Sequence, residues 1–400
     1  MYNVRKVTED IIWIGASDRR LARFENIFPI PRGVSYNSYL LMDEKTVLLD
    51  TVDAGVAGQF FENLEHVLAG RSLDYLVVNH MEPDHCAMIG DIIRRYPEVS
   101  VVGNAKTFGM LKQFFGTGFE ERAVVVKEGE SLSTGAHTLH FVMAPMVHWP
   151  EAMVTYDAKD KVLFSADAFG TFGALNGNIF ADEVDFERDW LADARRYYSN
   201  IVGKYGAPVQ ALLKKAVGLD ISVICPLHGP VWRENLGYFL DKYQKWSTYE
   251  PEDQAVVVMY ASMYGRTEAA ADALAGCLAE RGAKNIAVYD VSGTHISELI
   301  SEIFRASHLV LATPTYNGGI YPIMENLLTD MKALAVQKRT VALMENGTWA
   351  PVTAKMMREK LGEMKDMNVL DTQVSIKSDM AAGQRGELEA LADAIVASME

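Results

Sequence analysis

The stretch NHMEPDHC (79–86) sets His80, Glu82, Asp84 and His85 within six positions, directly after an apolar run at 76–78. Three more ligand-type side chains close other strand-like runs: His148 after FVMAPMV, Asp167 after VLFSA and His228 after VICPL. A rigid sheet can aim side chains from several strand ends at one point, and such coincidence is hard to assign to independent structural roles. Four neutral imidazoles with three carboxylates offer seven donors and a charge of about −3, too much for one ion. That set suits two divalent cations roughly 3.5–4 Å apart, sharing a bridging carboxylate and a hydroxide. His66, His137, His140, His295 and His308 read as structural or surface residues. Cys86 and Cys225 lie near histidines and could be soft ligands, but small buried apolar residues are the simpler reading.

A second constellation lies in the last 150 residues. The segment MYASMYGRTEAAADALA runs from an apolar strand through Ser262, Met263, Tyr264, Gly265, Arg266 and Thr267 into a helix. Hydroxyls at Ser262 and Thr267, consecutive backbone N–H groups and the positive helix end together make a phosphate cradle. The segment matches neither G-x-x-x-x-G-K-[ST] nor G-x-G-x-x-G, which disfavours a triphosphatase or a dinucleotide site. Two later strands end in TPTYNGGIYP (313–322) and ENGTWAP (345–351). In a doubly wound sheet these three loops meet above the carboxyl ends of the strands. Tyr316 and Trp349 can then stack on a planar ring, with Pro314, Thr315, Asn317, Asn346 and Thr348 beside it. Gly318, Gly319 and Gly347 let backbone N–H groups approach ring oxygens and nitrogens.

The elements that must carry these residues fall into two regions. Up to about residue 247, short strand-like runs (46–52, 74–80, 123–129, 139–145, 161–167, 222–229) mix with helical stretches at 55–69 and 186–217, as in a layered α/β or α+β domain. The polar, proline-containing stretch WSTYEPEDQ (246–254) reads as a linker between a domain at 1–248 and one at 254–400. Beyond it, five strands alternate with five helices, the last from about 385, which predicts an open, doubly wound parallel sheet.

The 400 residues exceed one hydrophobic core, and 49% apolar with 23% charged residues is ordinary globular composition. The net charge of −15, with no basic run, argues against nucleic acid and against anionic membrane surfaces. No apolar run approaches the roughly 18 residues of a spanning helix. The N-terminus has acids before any apolar stretch and lacks a secretory pattern. Three scattered cysteines suit reduced thiols, so a cytoplasmic protein is expected.

The spacing H-x-E-x-D-H at 80–85, followed by His148, Asp167 and His228, resembles the metallo-β-lactamase superfamily, whose usual loop reads H-x-H-x-D-H. Glu82 stands where a second histidine is usual. An anionic oxygen donor adds negative charge and hardness there, favouring iron that cycles between ferrous and ferric states over redox-inert zinc. With that replacement the pattern resembles the flavodiiron proteins. The resemblance implies His80, Glu82 and His148 on one iron, Asp84, His85 and His228 on the other, and Asp167 bridging as part of the same catalytic set. Pro83 fits a loop that turns sharply to present both carboxylates. The 262–267 loop with the two later loops resembles flavodoxin, implying FMN with its phosphate on the first loop and its isoalloxazine against the others. Flavodiiron proteins carry both domains in this order, so the resemblance spans about residues 1–400. It implies an α/β chain with an N-terminal metallo-β-lactamase-like αββα sandwich and a C-terminal flavodoxin-like doubly wound parallel sheet. Two features depart from it: Arg266 occupies a position where asparagine is frequent, and residues 21–28 lack the histidine that some members place near the irons.

Reduced FMN and a diferrous pair each hold two electrons, enough to take dioxygen to two waters; two nitric oxide molecules need only two electrons to become nitrous oxide and water. The expectation is a dioxygen and nitric oxide reductase. Domains of this size have gyration radii of roughly 18 and 15 Å, so flavin and irons of one chain can lie far apart. The resemblance answers this with a head-to-tail homodimer, or a tetramer, pairing one subunit's FMN with the other's irons. No rubredoxin-like Cys-x-x-Cys segment is present, so a separate donor, rubredoxin or a related reductase, is expected. The rival expectations are a two-zinc hydrolase whose flavodoxin-like part serves docking, and an electron carrier with a structural metal.

Overall fold

A computed structural model of the chain describes residues 1–116 and 120–399. The chain folds into two compact units: Met1–Tyr198 with Tyr205–Tyr243, and Ser199–Lys204 with Gln244–Glu400. Among the described residues, no helix is long and apolar enough to cross a membrane.

The first unit is built on two sheets. The seven-stranded sheet runs Arg5–Lys6, Ile11–Trp13, Tyr39–Met42, Thr46–Leu49, Tyr75–Val77, Ser100–Gly103, Ala123–Val125. Its first four strands pair antiparallel, whereas Thr46–Leu49 and the three that follow pair parallel. All four residues of Thr46–Leu49 are buried, as a strand covered on both faces requires. The second sheet orders Ser131–Ser133, Thr138–Met143, Met153–Asp157, Val162–Phe164 and Val223–Cys225, with only the last pair parallel. Helices Ala57–Leu68 and Ala105–Phe115 return the chain between parallel strands. Four strand ends matter for function: Val77, Met143, Phe164 and Cys225 are followed by the loops carrying the ligand-type residues. The expected helical stretch 186–217 is broken into Phe186–Asp189, Leu191–Tyr197, a wide turn at Tyr198–Val202, a tight one at Gly203–Tyr205, and Gly206–Ala216. The break starts at Trp190, whose φ of −128° leaves the helical region.

The second unit is an open five-stranded sheet, all parallel, in the order Ala287–Asp290, Asp253–Tyr260, Ala306–Tyr316, Thr340–Asn346, Asn368–Ile376; in chain order that is 2-1-3-4-5. The short strand Gly319–Ile320 pairs back on Ala306–Tyr316. Val256 and Val258 face helices Arg266–Glu280 and Arg385–Ala397 together with Val310, Ala312, Ala342 and Met344. The alternate residues Val257 and Met259 are equally buried, so both faces are covered, which explains the unbroken apolar strands. The proline-containing stretch before this sheet is packed: the Trp246 indole N–H donates to Glu252 at 3.0 Å, and the buried Arg339 guanidinium donates to the Tyr249 carbonyl at 2.7 Å.

Candidate metal centre and cofactor cleft

In the first unit the seven ligand-type side chains converge as two groups, His80, Glu82, His148 and Asp167, and Asp84, His85 and His228, all buried. His148 Nε2 lies 2.9 Å from Glu82 Oε2 and 3.1 Å from Asp167 Oδ2. His80 Nε2 is 3.3 Å from Glu82 Oε2 and 3.2 Å from Asp167 Oδ2. In the second group, His85 and His228 present their Nε2 atoms 3.0 Å apart, each 3.2 Å from Asp84 Oδ2. Asp167 belongs to both: its Oδ1 sits 3.2 Å from His85 Nε2 and 3.7 Å from His228 Nε2. One carboxylate thus offers one oxygen to each trio.

Local structure explains the aim. Glu82 is the N-cap of the short helix Pro83–Cys86, with Pro83 at its first turn, so the expected sharp loop is a helical turn that points Asp84 and His85 the same way. The Asp50 carboxylate accepts from the backbone N–H of Asn79 at 2.7 Å and of His80 at 3.2 Å, pinning the segment's entry. Sequence reasoning missed the partners that fix the rings. His80 Nδ1 lies 2.9 Å from Glu151 Oε1, which also accepts from the Met81 N–H, and His228 Nδ1 lies 2.8 Å from the Ser35 carbonyl. Such acceptors hold the proton on Nδ1 and leave the Nε2 lone pair facing the centre. Only the glutamate following WP (149–150), near His148, hinted at this in the sequence.

The donor set fits paired cations. Around an ion with bonds of ~2.0–2.2 Å, neighbouring donors stand roughly 2.9–3.5 Å apart, the spacing found within each trio. Both oxygens of Asp84 and of Asp167, and Nδ1 of His85, are buried without a hydrogen-bond partner. Electrostatics agrees. Burial pushes the His80 imidazole down, but the Asp167 carboxylate overrules it and holds the ring well above its usual range. By the same opposition between burial and carboxylate neighbours, His85 rises to about 10 and His148 to about 9. Burial raises Glu82, yet hydrogen bonds from His148 and His80 bring it down to about 2; burial also raises Asp84 and Asp167, but the charges of His85 and His80 respectively hold them below the usual carboxylate range. The carboxylates demand positive charge at this point.

Residues 21–28 contribute differently from a histidine. Phe24 sets its ring edge-on to His228, with centroids 5.4 Å apart, and burial plus the Glu82 charge push the Glu25 carboxyl up to about 8. Tyr197, also 5.4 Å from the His228 ring, is fully buried with its hydroxyl unpartnered. A third group, Asp10, His137 and Asp160, already contains a cation: Lys159 Nζ pairs with Asp10 and lies 2.9 Å from His137 Nε2. His137 therefore belongs to an ion-pair network, in line with its reading as structural. Cys86 and Cys225 are buried and stand outside both metal-type groups, as expected of apolar residues.

In the second unit, a cleft of about 510 Å³ lies above the carboxyl ends of the first, third and fourth strands. Ser262, Met263, Tyr264, Arg266 and Thr267 line it from the first loop, and Pro314, Thr315, Tyr316, Asn317 and Gly318 from the third strand. Asn346, Gly347, Thr348 and Trp349 complete it. Gly265 and Gly319 do not line the cleft. Gly265 caps helix Arg266–Glu280 at φ 80°, and Gly319 opens the return strand, so both shape the loops rather than the surface. Gly347 is required for another reason, since a Cβ there would stand 2.8 Å from Pro351. Ala350, Val352 and Ser378 line the cleft as well and were not foreseen. Ser378 was discoverable as a polar residue just past the fifth strand, beside the fourth. The Ser262 hydroxyl is buried without a partner, Tyr264 and Trp349 are each 90% exposed, and the volume lies in the ~300–1,000 Å³ range of cofactor sites. A phosphate acceptor and a planar ring would meet those groups.

Comparisons with known proteins cover both units. A family model described as "ODP family beta lactamase" matches residues 34–229, and one described as "Flavodoxin" matches 258–379. A nitric oxide reductase of Moorella thermoacetica is 31% identical over 362 residues, 90% of either chain. An anaerobic nitric oxide reductase flavorubredoxin of Escherichia coli is 31% identical over 86% of this chain and 72% of its own length. Among solved structures, the rubredoxin oxygen:oxidoreductase of Desulfovibrio gigas superposes with a TM-score of 0.92 at 29% identity, covering 99% of this chain and 98% of that one. A flavoprotein of Thermotoga maritima gives 0.90 at 26%, covering 99% and 98%.

Proposed function

The chain belongs to the flavodiiron protein family, and on that premise we propose that His80, Glu82 and His148 hold one iron, Asp84, His85 and His228 the other, and Asp167 bridges them. The protein is an oxidoreductase with a non-haem diiron centre and FMN, and it reduces dioxygen to water and/or nitric oxide to nitrous oxide. The two-zinc hydrolase and electron-carrier readings give way, because proteins matched along nearly the whole chain are named as a nitric oxide reductase and a rubredoxin oxygen:oxidoreductase. The observation that carries the residue assignment is the division of Asp167, one oxygen to each histidine-containing trio.

When bound, the irons supply open coordination positions and two electrons, and FMN supplies two more. The chain's own residues prepare that chemistry. Glu151 and the Ser35 carbonyl keep the His80 and His228 protons at Nδ1, so both Nε2 atoms remain donors. Phe24, Tyr36 and Tyr197 wall the His228 ring and exclude water from it. Burial and the Asp167 charge raise the Tyr197 phenol well above its usual range, so it keeps its proton at Oη near the carboxylates. In the cleft, the backbone N–H groups and hydroxyls of 262–267 would hold the FMN phosphate, and Tyr316 and Trp349, which line the same cleft, would flank its ring.

A rubredoxin-type donor is the proposed electron source, and a head-to-tail dimer the proposed assembly. The exposed aromatic rim of the cleft supports a partner surface there. Three buried, unbridged cysteines support a reducing, cytoplasmic setting. The test is metal and flavin analysis of the purified chain, expected to give two irons and one FMN. Zinc in place of iron, or a colourless protein that takes up no flavin, would overturn the assignment.

A further inference from the structure

Arg266 is the only charged side chain lining the flavin cleft among the described residues, and it opens helix Arg266–Glu280 directly after the phosphate-type loop. Its guanidinium does not stand free: Nη1 pairs with Asp379 Oδ2 at 3.0 Å. The backbone delivers Asp379 to that place. The Asn346 side chain accepts from the Ser378 N–H at 3.1 Å and donates to the Ser378 carbonyl at 3.2 Å, and Ser378 itself sits at φ 69°. The loop after the fifth strand is thus tied to the end of the fourth, and its next residue faces Arg266. Both partners are more than half exposed, at 62% and 57%, so the pair is solvated and weak in itself.

We infer that Arg266 is a specificity-determining residue through which the cleft reads the flavin's phosphate dianion, with Asp379 as the resident counter-ion that the phosphate displaces. The inference rests on the FMN reading. A cradle of backbone N–H groups and hydroxyls receives a phosphate without a formal positive charge. A guanidinium at the same helix end adds charge-assisted, fork-shaped hydrogen bonds that a dianion accepts better than one solvated carboxylate. Asp379 acts only through the arginine: it holds the Arg266 guanidinium until a phosphate takes its place, so phosphate-free flavins gain nothing from the exchange. The cleft therefore favours the mononucleotide over riboflavin by more than the hydroxyl cradle alone would give, and that preference is sensitive to salt.

The experiment titrates the full-length chain, freed of flavin, with FMN and with riboflavin, following quenching of flavin fluorescence at low and high salt. Arg266→Asn is expected to weaken FMN roughly tenfold while leaving riboflavin within about twofold, and to flatten the salt dependence. Asp379→Asn is expected to tighten FMN roughly threefold without changing riboflavin. In Arg266→Asn/Asp379→Asn the Asp379 effect should vanish, and Arg266→Lys should recover part of the FMN preference. Iron content and circular dichroism identify any variant that fails to fold. Equal loss of both flavins in Arg266→Asn, or an Asp379 effect that persists without the arginine, would overturn the inference and leave the FMN site standing. A wild-type chain that binds neither flavin would overturn the FMN reading itself.

Discussion

On the proposed assignment, Glu82 decides which metals the centre accepts. It offers an anionic oxygen to the trio containing His80 and His148, and both imidazoles crowd it within 3.3 Å. Glu82→His restores the H-x-H-x-D-H pattern, removes one negative charge, and should raise zinc occupancy at the expense of iron with gas reduction falling in parallel, as measured by metal analysis and turnover on one preparation. Glu151 acts one bond further out. Glu151→Gln keeps a hydrogen-bond acceptor but loses the charge behind His80, so metal affinity should fall by roughly 10–100-fold in chelator competition. The ligand types were legible in the sequence because each sits at the end of an apolar run. Glu151, Ser35 and Tyr197 were not: Glu151 is 71 residues from His80 and Ser35 is 193 from His228, and beyond the place of Glu151 three residues after His148 nothing local marks their meeting.

Strands and loops set the geometry that single residues cannot. The Pro83–Cys86 turn gives Asp84 and His85 a common direction, and the break at Trp190 ends one short helix and begins the next, Leu191–Tyr197, whose last residue is Tyr197. Elsewhere in the first unit, Asp43 follows strand Tyr39–Met42 and accepts from the Thr134 hydroxyl at 2.8 Å and the His137 N–H at 2.9 Å, joining one sheet to the hairpin of the other. Burial raises this carboxyl, but those hydrogen bonds bring it down to about 2. A depressed folded value means the contribution is present above the unfolded value of roughly 4 and is lost as pH falls toward 2. Denaturation between pH 5 and 2 should therefore be steeper in the wild type than in Asp43→Asn. In the cleft, Gly347→Ala would push a methyl against Pro351, and FMN release should be faster while iron content stays unchanged. The strand periodicity of the second unit was readable along the chain, whereas in the first unit the antiparallel strand Met153–Asp157 is buried throughout and shows no alternation to read.

The two candidate cofactor sites occupy separate compact units, and the proposed head-to-tail assembly would bring one electron store to one gas-reducing centre. If that assembly is head-to-tail, His148→Ala and a Tyr264→Ala/Thr267→Ala chain should each be inactive alone. Unfolded together and refolded as mixed dimers, they should recover roughly a quarter of wild-type turnover, because half the dimers are mixed and each holds one intact pair. No recovery would point to transfer within a single chain. The sequence by itself determined the donor types, the hydroxyl-rich phosphate loop and the alternation of strand and helix, because these follow from chemistry and periodicity within a few residues. Tertiary structure alone decided that Asp167 gives one oxygen to each trio, that Glu151 and Ser35 orient the rings, and that Asp379 meets Arg266. Those contacts join segments separated by tens to hundreds of residues, and only the folded sheets fix such distances to within a hydrogen bond.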